Sequence, residues 1–414
     1  MITDPLETLV LPPRFQKRRV CDVAEVNSEV LSGDTVPGYT FRYIDISSVE
    51  AFGTLGDLAV TTFKDAPSRA RRIVRENDII VSTVRTYLRA IARITDADNV
   101  IASTGFAVIR PTDEIDPDFL YWWISAHPFV EQVVSQSVGV SYPAISAEKL
   151  AKMLVPVPSR EEQERVARFL EDECAQVDRL LAEMEHFRSL LIEHQQCLIL
   201  EFVHGSEGGD HPLRPLKQVA RVETSNVDKK TVEGETVVRL CNYVDVYKND
   251  IITDELEMMV ASATAEQISR LGLKGGDVIF TKDSETPDDI AVPAYVPHDL
   301  PGVVCGYHLA IARTFPEVMT GQFLYWCLKS KRVMDQFSYS ASGVTRYGLS
   351  QAAISSVLVP VPDVSEQHSI VERLESMNAR VNELLAQLEQ SATLLNERKA
   401  AIITAAVTGQ MEVA

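Results

Sequence analysis

Apolar residues return at every seventh position along two long stretches of the chain. In the first, Leu170, Val177, Met184, Leu191 and Leu198 form one column, with Val166, Leu180 and Phe187 beside it. In the second, Leu374, Val381, Leu388, Leu395 and Ile402 form the column, with Ile370, Leu384 and Ser391 beside it. Two columns at this spacing predict a helix that offers a coiled-coil seam. The stretches stand 204 residues apart, and the offset holds well outside them. Leu154-Val155-Pro156-Val157-Pro158 precedes the first, and Leu358-Val359-Pro360-Val361-Pro362 the second. Ser159 and Asp363 take the N-cap position, each with a glutamate three residues on (Glu162, Glu366), which predicts a capping box. Gln163 matches Gln367, and Gly205 and Gly409 stand where a left-handed residue ends a helix. At ~1.5 Å per residue each helix is about 65 Å long. Neither buries its seam alone, so the two are expected to pair with each other, antiparallel, with a head at each end. Ser391 and Arg398 fall in the seam of the second helix and predict loose packing of its distal part.

The repeat divides the chain into two similar halves. Residues 1–158 and 211–362 read as globular parts and residues 363–414 as a helix; residues 159–210 read as a helix ending in the polar link Gly205–Asp210. In the globular parts, Val20–Val26 matches Leu216–Val222 loosely, and Phe41–Ile46 matches Val238–Val244; both pairs read as strands. Asn77–Thr83 and Gly276–Lys282 read as a turn entering a buried strand. Phe119-Leu120-Tyr121-Trp122 and Phe323-Leu324-Tyr325-Trp326 recur at the common offset on a short amphipathic helix, with both tryptophans in the core. The loop Ser137–Tyr142 aligns with Ala341–Arg346. Likeness is weakest before residue 105 and its counterpart, as if one frame carried two varied heads. The fold class is α+β: two mixed α/β domains joined by two long antiparallel coiled-coil helices, an internal pseudo-twofold repeat.

The net charge of −19 argues, taken as a sum, against binding nucleic acid. Its distribution changes the picture. Residues 159–210 carry −8 and residues 363–414 carry −4, whereas the globular parts carry only −4 and −3, so a local basic face on each head is compatible with the total. There is no apolar run long enough to cross a membrane, and Met1-Ile2-Thr3-Asp4 does not open a signal peptide. The six cysteines are scattered without a CxxC pair, which predicts reduced, buried thiols in a cytoplasm and no zinc site.

Catalytic constellations are not found. No GxxxxGK[ST] and no GxGxxG after a strand occur; Leu273-Lys274-Gly275-Gly276 is a turn. There is no Asn-Pro-Pro-aromatic or Asp-Pro-Pro-aromatic tetrapeptide for amino methylation, and Pro287-Asp288 lacks the following acidic-x-Lys of a nuclease site. The eight histidines show no metal-ligand spacing, and His186 and His194 read as solvated positions of the long helix. No cofactor and no metal are expected.

Together these residues resemble the specificity subunit of a type I restriction–modification system. The segments that carry the resemblance are Leu-Val-Pro-Val-Pro followed by Glu-Gln, at 154–163 and 358–367, and the ending Ala405-Ala406-Val407-Thr408-Gly409-Gln410. It covers nearly the whole chain. It implies a non-catalytic reader of double-stranded DNA whose two target-recognition domains each read half of a split target. It implies as partners two methylation subunits, which would bind S-adenosylmethionine, and a motor-nuclease restriction subunit.

For DNA contact, Arg85, Tyr87 and Arg89 stand at i, i+2, i+4 after the strand of Ile79–Val81; on a continuing strand they would face one way. Arg69, Arg71, Arg72 and Arg75 make the densest basic run, suited to phosphate. In the second head the counterparts are Lys282, Ser284, Arg346 and Tyr347. Tyr142 and Arg346 match in position after a glycine, on a loop able to reach a groove, where Arg pairs with guanine and Tyr packs on sugar or base. An ordinary solvated surface is the alternative for each group. For the chain as a whole, a coiled-coil scaffold without DNA binding and an acidic DNA mimic compete with the DNA reader.

Overall fold

The computed structural model describes residues 11–49, 53, 55–139, 142–205 and 211–413. It holds two compact units: Met1–Met184 with Glu389–Ala414, and Glu185–Leu388. The link beyond Gly205, the first residues of the chain, and Val140 and Ser141 of the aligned loop lie outside the described residues.

The heptad stretches are continuous helices, Arg160–His204 and Val364–Val407. Gly205 (φ 92°) and Gly409 (φ 69°) take the left-handed conformation that ends each of them. The capping box forms only in part. Ser159 Oγ accepts from the Glu162 N–H, but the Glu162 carboxylate turns to Arg14 Nε at 2.9 Å instead of back to the cap. The helices run antiparallel, and each unit shows it by itself. In the first, Leu170, Cys174 and Val166 share a core with Ile403, Ala406 and Val407, and Lys399 Nζ meets Asp178 at 2.6 and 2.7 Å. In the second, Ile199 and Val203 share a core with Ile370, Val371 and Leu374, and Gln195 Nε2 donates to Asn378 Oδ1 at 2.6 Å.

Two expectations about the seam are corrected. The main column is inside, but the companion headed by Val166 and Ile370 is buried only at those two residues: further along, Leu180, Phe187 and Leu384 are 44%, 46% and 41% exposed. The inner companion lies four residues beyond main-column residues, except at Met184, where Arg188 is exposed. It holds Cys174, Leu181 and Gln195 in the first helix and Asn378, Leu385 and Lys399 in the second. The distal end of the second helix packs closely despite Ser391 and Arg398, with Ile403, Ala406 and Val407 buried. Arg398 points outward to Glu173.

The first head has an antiparallel sheet in the order Ala24–Val26, Phe106–Pro111, Ile79–Ser82, Ile91–Arg93. A second, mixed sheet runs Ala59–Thr62, Thr40–Ile44, Val100–Ser103, Ala70–Ile73. The second head repeats the antiparallel sheet as Ala220–Thr224, Leu309–Thr314, Val278–Thr281, Pro293–Tyr295. Its mixed sheet has only Met259–Ala263, Thr236–Cys241 and Val303–Cys305. Where the first head has its basic strand Ala70–Ile73, the second has the helix Ala265–Leu271. The heads diverge here, within the region of weakest likeness. Val20–Val23 is a helical turn rather than strand, because the Asp22 carboxylate accepts from the Arg19 N–H at 2.8 Å and caps it.

The shared frame has shared fasteners. Each Pro-Val-Pro segment leads into a buried glutamine. Gln163 accepts from the Asp116 N–H and donates to Pro158 O; Gln367 accepts from the Thr320 N–H and donates to Val318 O and Pro362 O. Each turn before the buried strand holds a buried aspartate gripped by an arginine of the neighbouring strand. Asp78 takes Arg110 Nε and Nη2 at 2.9 and 2.8 Å; Asp277 takes Arg313 at 2.8 and 2.7 Å. Trp122 and Trp326 are core residues, 7% and 3% exposed. All six cysteines are free thiols; Cys174, Cys241, Cys305 and Cys327 are buried, but Cys21 and Cys197 are exposed. Burial pushes the Cys174 thiol up to about 11. Among the described residues no helix is long and apolar enough to cross a membrane.

Candidate nucleic-acid interface

In the first head the buried strand stops at Ser82, whose hydroxyl donates to Val84 O. Arg85, Tyr87 and Arg89 are therefore not on a strand. They belong to a 3-10 turn, Thr86–Leu88, bounded by Arg85 (φ 50°) and Arg89 (φ 52°), both left-handed. Side-chain direction no longer follows the i, i+2, i+4 rule, yet all three side chains are exposed. Val138, Pro143 and Ala144 lie beside this turn. Val84 and Val138 both bridge to Ala144, and Arg85 N–H donates to Pro143 O at 2.8 Å. Arg85 consequently lies over the Tyr142 ring, with Cζ 4.7 Å from the centroid, and Tyr142 is itself 65% exposed. Arg89 Nη2 is 3.1 Å from His127 Nδ1. The result is one exposed cluster of Arg85, Tyr87, Arg89 and Tyr142. A guanidinium held over a ring loses less freedom when it then meets a ligand.

The basic run behaves otherwise. Arg69 is exposed just before the strand. Arg71 lies on the Phe63 ring at 4.7 Å, and Arg72 is half-buried, with burial lowering its pKa. Arg75 pairs with Glu29 and so is partly neutralised. These arginines point several ways and do not make one basic patch.

In the second head, Asp283–Ser284, Tyr347–Gly348 and Ser342–Gly343 form a small three-stranded sheet, the counterpart of the bridged segments around Ala144. Its hairpin exposes Val344, Thr345 and Arg346, with Val344 at 91%. Gly343 (φ 149°) makes the tight turn, and a Cβ there would collide with the Arg346 carbonyl. Arg346 thus occupies the place that Tyr142 holds in the first head. Tyr347 is half-buried beneath it. Ser284, expected among the groups open to DNA, is buried at 6%: its pairing with Tyr347 places it under the hairpin. Lys282 is 14% exposed, bonded to Asp283 at 2.9 Å and set over the Tyr307 ring. Burial opposes ionisation of Asp283, but hydrogen bonds from His308 and Lys282 outweigh it and hold its carboxyl below the usual range.

Residues 13–183 and 214–394 each match the model of the type I restriction modification DNA specificity domain. The chain belongs to this family. Among relatives, the type I restriction enzyme EcoBI specificity subunit of Escherichia coli is 24% identical over 72% of this chain and 66% of that protein. The chain thus spans just under two thirds of that relative's length. The MjaIX specificity subunit of Methanocaldococcus jannaschii is 22% identical, over 88% of this chain and 87% of that protein. A structure described as showing complex assembly and conformational transition of the type I R-M system superposes with TM-score 0.78. It is 22% identical and covers 97% of this chain and 100% of that one. The HsdS subunit from Thermoanaerobacter tengcongensis gives TM-score 0.55 at 22% identity, over 98% and 99% of the chains.

Both specificity domains therefore keep the buried sheet, the Asp–Arg pair and the glutamine fastener, and differ in what the bridged loop presents. The groups that sequence spacing did not bring forward are His127 in the first domain and Tyr243, Tyr247 and Tyr307 in the second. A tyrosine pair at i, i+4 was the available signal.

Proposed function

We propose that the chain is the non-catalytic DNA-reading subunit of a type I restriction–modification complex, in the cytoplasm. Each head reads one short word of a split duplex target. The observation that supports this best is the pairing of one conserved-in-form frame with two unlike exposed loops, Arg85–Tyr142 in one head and Val344–Arg346 in the other. Two non-glycine residues held left-handed around a single exposed turn add to it, since such strain costs about 1–2 kcal/mol per residue and persists where surroundings impose it. The acid is concentrated on the helices, away from the heads, which weighs against a DNA mimic. The helices also leave apolar side chains open: Leu180 and Leu394 in one unit, Phe187, Leu190 and Leu384 in the other. These suit the docking of two methylation subunits, which would hold S-adenosylmethionine; a motor-nuclease subunit completes the restriction complex.

Arg85→Ala and Arg346→Ala test the reading. In the assembled complex each is expected to weaken binding to the selected target by about tenfold or more, the scale of one guanine contact. Each should also lower the dependence on its own word and spare the other. Equal affinity of both variants and the parent at matched salt would contradict it and favour the scaffold.

A further inference from the structure

We infer that Tyr243, Tyr247 and Asp289 form a base-reading element of the second head, in which the Asp289 carboxylate accepts a hydrogen bond from the exocyclic amino group of cytosine or adenine in the major groove. The inference rests on the DNA-reading function proposed above and assigns it to particular side chains.

The element is a short helix, Tyr243–Lys248, that follows the strand Thr236–Cys241. Asn242 caps it by accepting from the Val244 N–H, and Asp245 returns a bond from the Asn242 N–H. Tyr243 and Tyr247 are four apart, and their rings stack with centroids 5.4 Å apart and planes 15° from parallel. Stacking would be an ordinary packing event if the pair were buried. It is not: Tyr247 is 43% exposed and Val244 between them 48%. The Tyr247 hydroxyl donates to Asp289 Oδ2 at 2.8 Å. The stacked pair thereby sets the Asp289 carboxylate in place, and the Arg346 charge acts on Tyr243. The Tyr247 phenol keeps its proton, its pKa held above the ordinary value by that donation. Among the described residues at the corresponding place after Thr40–Ile44, the first head has the 3-10 turn Ile46–Ser48, which carries no aromatic residue.

The chemistry selects the ligand. A carboxylate beside a duplex is repelled by phosphate and by the guanine O6/N7 and thymine O4 acceptors. It is favoured only by a donor, and the donors in the major groove are cytosine N4 and adenine N6. The ring faces supply apolar contact to the adjoining base or sugar.

The test uses the full chain assembled with its methylation subunits, on a library of randomised duplexes whose methylated members are sequenced. Asp289→Asn and Tyr247→Phe are nearly isosteric, and the word read by the first head serves as an internal control of folding. Asp289→Asn is expected to lower discrimination at one position of the second word about tenfold, with the first word unchanged. Tyr247→Phe is expected to lower it at the same position by less. Unchanged second words in both variants would overturn the assignment, and so would loss of both words in either variant. A parent complex that selects no word would instead overturn the DNA-reading function beneath it.

Discussion

Replacing Leu170 and Leu374 by Asp together is expected to leave no folded chain. Leu170 is fully buried in the core that joins the first head to its helices, and Leu374 is fully buried in the second. Loss of a buried leucine costs about 2–5 kcal/mol, and an unpaired carboxylate in its place adds several more. The two sites lie in separate cores, so the costs add, against a typical total stability of about 5–15 kcal/mol. Leu180→Asp and Leu384→Asp are the contrast. They occupy the companion column that hydrophobic spacing assigned to the seam, but are 44% and 41% exposed, so each is expected to shift stability by only about 0.5 kcal/mol. Thermal melting followed by circular dichroism, with size-exclusion chromatography, separates the two pairs. A cooperative, parent-like melt of the Leu170/Leu374 variant would contradict the packing described.

Asp277→Ala is expected to destabilise the second unit by about 3 kcal/mol, at the lower end for a broken buried ion pair because Arg313 keeps a third of its side chain exposed. The change removes both bonds to the guanidinium and the acceptor for the Lys274 N–H that closes the turn. Arg313, whose pKa the Asp277 hydrogen bond raises, would be left charged and without that partner. For a unit of this size the loss corresponds to a fall of about 6–12 °C in Tm. Arg313→Met added to Asp277→Ala should restore part of it, since no unpaired guanidinium then remains. A melt of Asp277→Ala within error of the parent would show that the pair does not hold the turn.

The frame was legible in the sequence because its signals are local and periodic. The main seam column, the terminal glycines and the offset of 204 residues each need only the chain itself. The companion column was not legible because polar residues fill much of it: Gln195 and Asn378 bond to each other, and Lys399 is satisfied by Asp178. A hydrophobicity pattern passes over such positions. The capping box failed at Glu162 because Arg14, distant in sequence, competes for its carboxylate. The interface was legible in kind but not in arrangement. Arg85 and Tyr142 were singled out separately, and only the bridges through Ala144 bring them together. A strand continued past Ser82 was the natural reading, and left-handed arginines, which propensity disfavours, end it. Ser284 and Lys282 lost their place as open groups to long-range pairing with Tyr347 and Tyr307.

Methylation mapping of the assembled complex on random duplex DNA tests the two-reader function most directly. Two unlike heads on one frame should yield two different short words separated by unspecified bases. Exchanging residues 211–357 for the second head of another family member should change one word and leave the other intact. A single uninterrupted palindrome, or a change in both words on exchange of one head, would contradict it.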